Sequence, residues 1–109
     1  MARSKSPAYQ RYPRDILANP DIAVLNLEEY GAYERLRDYI WLEGFLINDE
    51  RYLAKILRTN QKKFRSLFTA IKNLFQIEDG KITCPDLDKE RIKQEEHRAL
   101  KAKAGRKSG

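Results

Sequence analysis

Apolar residues recur at helical spacing over three stretches of the chain, and one short stretch alternates. Between residues 27 and 44, Tyr30, Tyr33, Leu36, Ile40 and Trp41 carry a period of three to four, which predicts an amphipathic helix. Its start is marked by Asn26 followed three residues later by Glu29, the spacing of a reciprocal capping box, with Leu25 and Tyr30 at the positions of a hydrophobic staple. Gly44 stands where a terminator is expected. Asn48 or Asp49 can cap a second helix over about 50–58, with Tyr52, Leu53, Ile56 and Leu57 as its apolar face. Thr59-Asn60 reads as a turn and a new cap. The third helix, about 61–74, presents Phe64, Leu67, Phe68, Ile71 and Phe75 on one side.

Residues 75–84 change period. Ile77 and Ile82 alternate with polar residues around Asp79-Gly80, and Asp-Gly suits a two-residue hairpin turn that needs positive φ twice. Two helices joined by a short turn and followed by a hairpin define the fold expectation. It is a mainly α domain with a small β-hairpin, winged helix-turn-helix-like, over residues 9–85. Upstream, residues 1–8 read as a flexible basic arm. Alternation at 9–13 leaves a short strand open, and Pro13 can begin a short helical turn. Downstream, 86–104 is expected to be an exposed, charged C-terminal helix, with opposite charges three apart at Asp86/Lys89, Asp88/Arg91, Glu90/Lys93 and Glu95/Arg98. Residues 105–109 read as a flexible tail.

Charge adds a partner class. The 109 residues carry 22 Lys and Arg against 16 Asp and Glu, a formal net charge of +6, and this balance favours polyanions. The positive charge is not spread evenly. From Arg51 to Ile77 no acidic residue occurs, while Arg51, Lys55, Arg58, Lys62, Lys63, Arg65 and Lys72 are all basic. A merely solvated face mixes signs, so this segregation on a helix-turn-helix pattern points to double-stranded DNA. At 100° per residue, Lys62, Ser66, Thr69 and Asn73 lie opposite the apolar side of the third helix, flanked by Arg65 and Lys72 at one edge and Lys63 at the other. With Lys55 and Arg58 they form the candidate DNA-binding set. The hairpin tip, Glu78-Asp79-Gly80-Lys81, is not basic, so the hairpin and the helix at 27–44 are expected to act as scaffold.

Catalysis finds no support. His97 has no partner at ligand or triad spacing, no glycine-rich phosphate loop is present, and Glu28/Glu29 and Asp49/Glu50 sit at helix starts, where acids complement the macrodipole. No cofactor or metal is expected. Cys84 is a single thiol among strand-like residues and is expected to be a small buried hydrophobe. Most aromatic rings fall on core stripes, with Tyr39 the best candidate for partial exposure. No apolar run approaches the roughly 20 residues that span a bilayer, and the start lacks a signal sequence, so the expectation is a cytoplasmic protein with no membrane partner.

Three stretches together resemble the YdaU-like (DUF1376) family of phage and prophage proteins. They are Pro7-Ala-Tyr9-Gln-Arg-Tyr12-Pro13-Arg-Asp15-Ile-Leu17, then Leu27-Glu28-Glu29-Tyr-Gly31-Ala32-Tyr33 with Leu36, Tyr39 and Trp41-Leu42-Glu43-Gly44, then Asp49, Leu53-Ala54, Leu57, Phe75, Asp79-Gly80-Lys81 and Leu87. Ile47 stands where the family often has proline and Phe64 where it often has tryptophan; both keep apolar bulk. The resemblance implies the N-terminal part of a replication initiator or replisome organiser, which binds origin DNA and recruits a helicase or helicase loader. It supplies no catalytic residues. Two other readings remain open: a protein-interaction module docking a helicase, a loader or a second copy as a homodimer, and a prophage transcriptional regulator.

Overall fold

A computed structural model describes residues 7–108. The elements run α1 (Pro13–Ala18), α2 (Pro20–Ala23), α3 (Leu27–Glu43), β1 (Leu46–Ile47), α4 (Glu50–Ile56), α5 (Gln61–Ile71), a 3-10 turn (Lys72–Leu74), β2 (Gln76–Glu78), β3 (Lys81–Thr83) and α6 (Pro85–Ser108). The protein is therefore mainly helical with a small antiparallel sheet, and the order is compatible with a winged helix-turn-helix-like fold. The sheet has three strands, β1-β3-β2, with Leu46 opposite Ile82 and Ile77 opposite Ile82 on its other neighbour.

Local chemistry explains the boundaries. The Asn26 side chain accepts from the Glu29 amide at 2.8 Å, and the Glu29 carboxylate accepts from the Asn26 amide at 2.9 Å, completing the capping box at the start of α3. Gly44 ends that helix at φ 91°, a conformation that costs a side-chain-bearing residue more than glycine. Asp79 at φ 53° and Gly80 at φ 72° make the two-residue hairpin turn. Asn48 donates its amide to the Gly80 carbonyl at 2.8 Å, so β1 holds the hairpin tip.

α3 is the central helix. Leu36, Ile40 and Trp41 are completely buried, and α5, β1 and α6 all pack on it. Phe64 and Ile71 from α5, Leu46 and Ile82 from the sheet, Ile16 from α1, Ile22 from α2, and Phe75 close the core. Cys84 is buried as expected, and burial pushes its thiol pKa up. Arg37 is also buried, and among the described residues it forms no ion pair. Its guanidinium donates to the Tyr33 hydroxyl at 2.7 Å and lies over the rings of Tyr33 and Tyr9, at 5.3 and 5.6 Å. Two aromatic faces and a hydroxyl thus replace the counter-ion that a buried cation ordinarily needs.

Three expectations are corrected, and a fourth falls mostly outside the described residues. Residues 9–12 form no strand: they cross α3 as an anchored coil, where Tyr9 donates to Asp38 at 2.7 Å and Arg11 bonds Glu34 and Tyr30, so side chains rather than a ladder hold the segment. Of the basic arm, residues 1–6 lie outside the described residues, and the Ala8 carbonyl accepts from Gln94. α6 is not exposed throughout. Leu87 and Glu90 are buried, Tyr12 donates to Glu90 at 3.1 Å, and Arg91 stacks on Trp41 at 4.4 Å while donating to the Trp41 carbonyl. The 105–109 tail is helical as far as Ser108, because alanine and lysine favour the helix and one glycine costs only about 1 kcal/mol. From Ile92 to Lys101 the helix does face solvent, apart from half-buried Gln94.

The Tyr9 phenol is pushed up to about 12 by burial and by the Asp38 carboxylate. A folded-state pKa above the unfolded value near 10 means that stability is complete below pH 10 and falls as pH rises toward 12. Two units correspond to about 2.7 kcal/mol, which solvent screening at this half-buried ring reduces to about 1 kcal/mol. Urea midpoints measured from pH 9 to 12 should therefore fall, and Tyr9→Phe should flatten the fall. An equal decline in the variant rules out this origin.

Candidate nucleic-acid interface

α4 and α5 are joined by a four-residue turn, Leu57-Arg58-Thr59-Asn60. The Thr59 amide bonds the Ala54 carbonyl at 2.9 Å and the Arg58 amide bonds that of Lys55 at 3.1 Å, the pairing of a Schellman helix end. That geometry puts Arg58 at φ 56°, in the left-handed region that glycine usually occupies. Asn60 then caps α5, its side chain accepting from the Lys63 amide at 2.7 Å. Helix geometry leaves the Gln61 and Lys62 amides at this end without intrahelical partners, pointing out of the helix start.

All nine residues of the sequence-derived set are solvent-exposed: Lys55, Arg58, Lys62, Lys63, Arg65, Ser66, Thr69, Lys72 and Asn73. The apolar side of α5 faces inward, with Phe64 stacked on Phe68 at 5.1 Å and Ile71 buried, so the polar side is presented outward as a unit. Lys72 and Asn73 extend it through the 3-10 turn.

The face is not uniformly free, however. Arg65 donates from Nε to both carboxylate oxygens of Glu50 at 3.0 Å and pairs again through Nη2 at 2.9 Å. Lys63 forms an ion pair with Glu28 at the start of α3. Thr69 donates its hydroxyl to the Arg65 carbonyl at 2.8 Å, leaving it only lone pairs to offer a ligand. The run that is acid-free in sequence is thus bordered in space by Glu50 and Glu28, both at helix starts. No spacing rule along the chain brings Glu28 to Lys63. The (i, i+15) approach of Glu50 to Arg65 could have been found by folding the helix pair back on itself. The cations left for a polyanion centre on Arg58 and Lys62 at the turn, with Lys55 and Lys72 at its margins.

The hairpin adds nothing basic to this surface. Lys81 lies over the Phe45 ring at 4.7 Å and opposite Glu78 in the ladder. The exposed rings Tyr39 and Tyr52 belong to α3 and α4, where Glu43 raises the Tyr52 pKa after burial does. Among the described residues no group of three His, Cys, Asp or Glu side chains converges on a point. No helix of the described residues is long and apolar enough to cross a membrane.

Arg58 offers a separation of binding from folding. Arg58→Gly removes the cost of a left-handed arginine, of order 1 kcal/mol, and the domain should become more resistant to urea by up to that amount. The same substitution should weaken duplex binding about fivefold. A more stable variant with undiminished binding would remove Arg58 from the interface.

The architecture is that of a small, mainly helical domain carrying a basic edge at the α4–α5 turn on an α3-centred core. The chain belongs to the family described as Protein of unknown function (DUF1376), whose model matches residues 9–91. No match is found to a curated protein or to a solved structure.

Proposed function

We propose that this domain binds double-stranded DNA through the turn and outer face of α5. The observation that carries the reading is the exposed set around Arg58 and Lys62 at the capped start of α5, where cationic side chains and outward-facing helix amides meet. A phosphate group accepts from such amides while the lysine and arginine neutralise it, and Ser66 and Asn73 further along can reach base edges. The hairpin is scaffold in this reading. Catalysis plays no part in it, and a cytoplasmic location goes with it. A role in phage or prophage replication initiation follows from the resemblance in sequence alone, with a helicase or its loader as the protein partner.

A second reading has its own observation. Tyr39, Leu42 and Tyr52 are exposed on α3 and α4, at 37, 56 and 38% of their surface, and such a patch suits a protein partner or a second copy. Light scattering on an eluting column, run beside a duplex titration at about 0.15 M salt, separates the two. The DNA reading expects a monomer or dimer that binds duplex with a steep salt dependence. A stable complex or dimer with no duplex binding favours the protein-interaction reading instead.

A further inference from the structure

Residues 90–101 of α6, with Gln10 and Tyr12 of the N-terminal coil, border a groove of about 450 Å³, separate from the α5 face. Lys93, His97 and Lys101 line it at i, i+4 and i+8, a row with steps of about 6 Å along the helix. Arg98 lines the same groove, and Tyr12 forms part of the opposite wall with 42% of its surface exposed. Lys93 sits over the Tyr12 ring at 5.7 Å and reaches the Tyr12 hydroxyl at 3.5 Å. The one carboxylate in the lining, Glu90, is buried and already accepts from Tyr12 and Gln94. Neither Glu95 nor Glu96 lines it. From His97 to Gly109 the chain contains Arg98, Lys101, Lys103, Arg106 and Lys107 and no acid.

We propose that this groove holds the backbone of a single-stranded nucleic acid, with a base stacked on Tyr12. A row of cations spaced along one helix suits successive phosphates, and an exposed ring in the same groove gives a sequence-tolerant platform for a base. The exposed Tyr12 ring can stack only with an unpaired base, so a single strand uses the groove fully and a duplex, whose bases are already stacked, does not. An acidic peptide would match the cations but would make no use of the ring. The site does not depend on duplex binding at α5, and the two surfaces are built from different helices.

The test uses the full chain and a fluorescent oligo-dT of 16 nucleotides, followed by anisotropy at several salt concentrations. Arg98→Ala/Lys101→Ala changes two exposed side chains and leaves the buried contacts of Leu87, Glu90 and Arg91 intact. It should weaken oligo-dT binding about tenfold and lower the salt slope by about 1.4, at 0.7 per phosphate contact on a single strand. Arg58→Ala/Lys62→Ala should leave oligo-dT binding unchanged. Tyr12→Leu should weaken it further than charge loss alone. Wild-type protein that fails to bind oligo-dT, or a groove variant that binds it as well as wild type, overturns the site. A poly-glutamate peptide that binds the groove more tightly than oligo-dT also overturns it, in favour of an acidic protein partner. Wild-type protein that binds oligo-dT but no duplex is failure of the α5 reading alone.

Discussion

Replacing Lys55, Arg58, Lys62 and Lys72 together by alanine should reduce duplex affinity by on the order of 10³-fold at 0.15 M salt, if all four meet phosphates. The expectation rests on counter-ion release. Each neutralised phosphate contributes about 0.9 to the slope of log K against log salt, so four contacts contribute about 3.6. The four side chains are exposed and project from helix ends or from the outer face of α5, so the fold should survive their loss. Arg65 and Lys63 are excluded from the set because Glu50 and Glu28 already hold them. Their replacement should cost less per charge, since each change also frees an acid at the edge of the surface. Fluorescence anisotropy on a labelled duplex between 50 and 300 mM salt reads both slope and affinity. A quadruple variant with the wild-type slope would show that these cations do not face the phosphates.

The largest expected effect on stability is at Trp41. Trp41→Ala should destabilise the protein by about 3–5 kcal/mol, a large part of what a domain of this size possesses. Its ring is completely buried, is tilted against Tyr9 at 5.3 Å, and carries the Arg91 guanidinium on its face. The substitution therefore removes three things together: a large part of the core, the anchor of the N-terminal coil, and the platform on which α6 is seated. Thermal unfolding should begin on the order of 15–30 °C lower. Hydrogen exchange should speed up first at residues 87–92, where α6 meets α3. A loss below about 1 kcal/mol would mean that Trp41 does not join these elements. Leu100→Ala, on the exposed part of α6, serves as the control and should change stability by no more than about 0.5 kcal/mol.

Much of the fold was legible where local chemistry decides it. Asn26 with Glu29, Asn60, Gly44 and Asp79-Gly80 each carry a backbone instruction in a few residues, and each is met in the structure. The elements that escaped notice lack such an instruction or depend on distant partners. Leu46-Ile47 is too short to alternate, and it is a strand only because β3 offers an open edge beside it. The helical turn at 20–23 did have a local signal, Pro20 at the first helical position behind Asn19, whose side chain accepts from the Asp21 amide, which the surrounding short elements obscured. The burial of the first turns of α6 was hidden for a different reason. Glu90 and Arg91 look like solvent-facing charges, but Glu90 accepts from a tyrosine hydroxyl and Arg91 lies on a tryptophan face inside the protein. The same limit applies to the candidate site. Its exposed face followed from periodicity, whereas the ion pairs that remove Lys63 and Arg65 from it depend on where helix starts pack.

Amide chemical shifts of the isotopically labelled protein, recorded during titration with a duplex, report residue by residue where DNA binds. The largest changes are expected at Arg58 to Lys63 and along Ser66, Thr69 and Asn73, with the hairpin tip and the Tyr39–Leu42 face little altered. Changes centred on Tyr39, Leu42 and Tyr52, or none at α5 while the duplex is bound, would contradict DNA binding through α5.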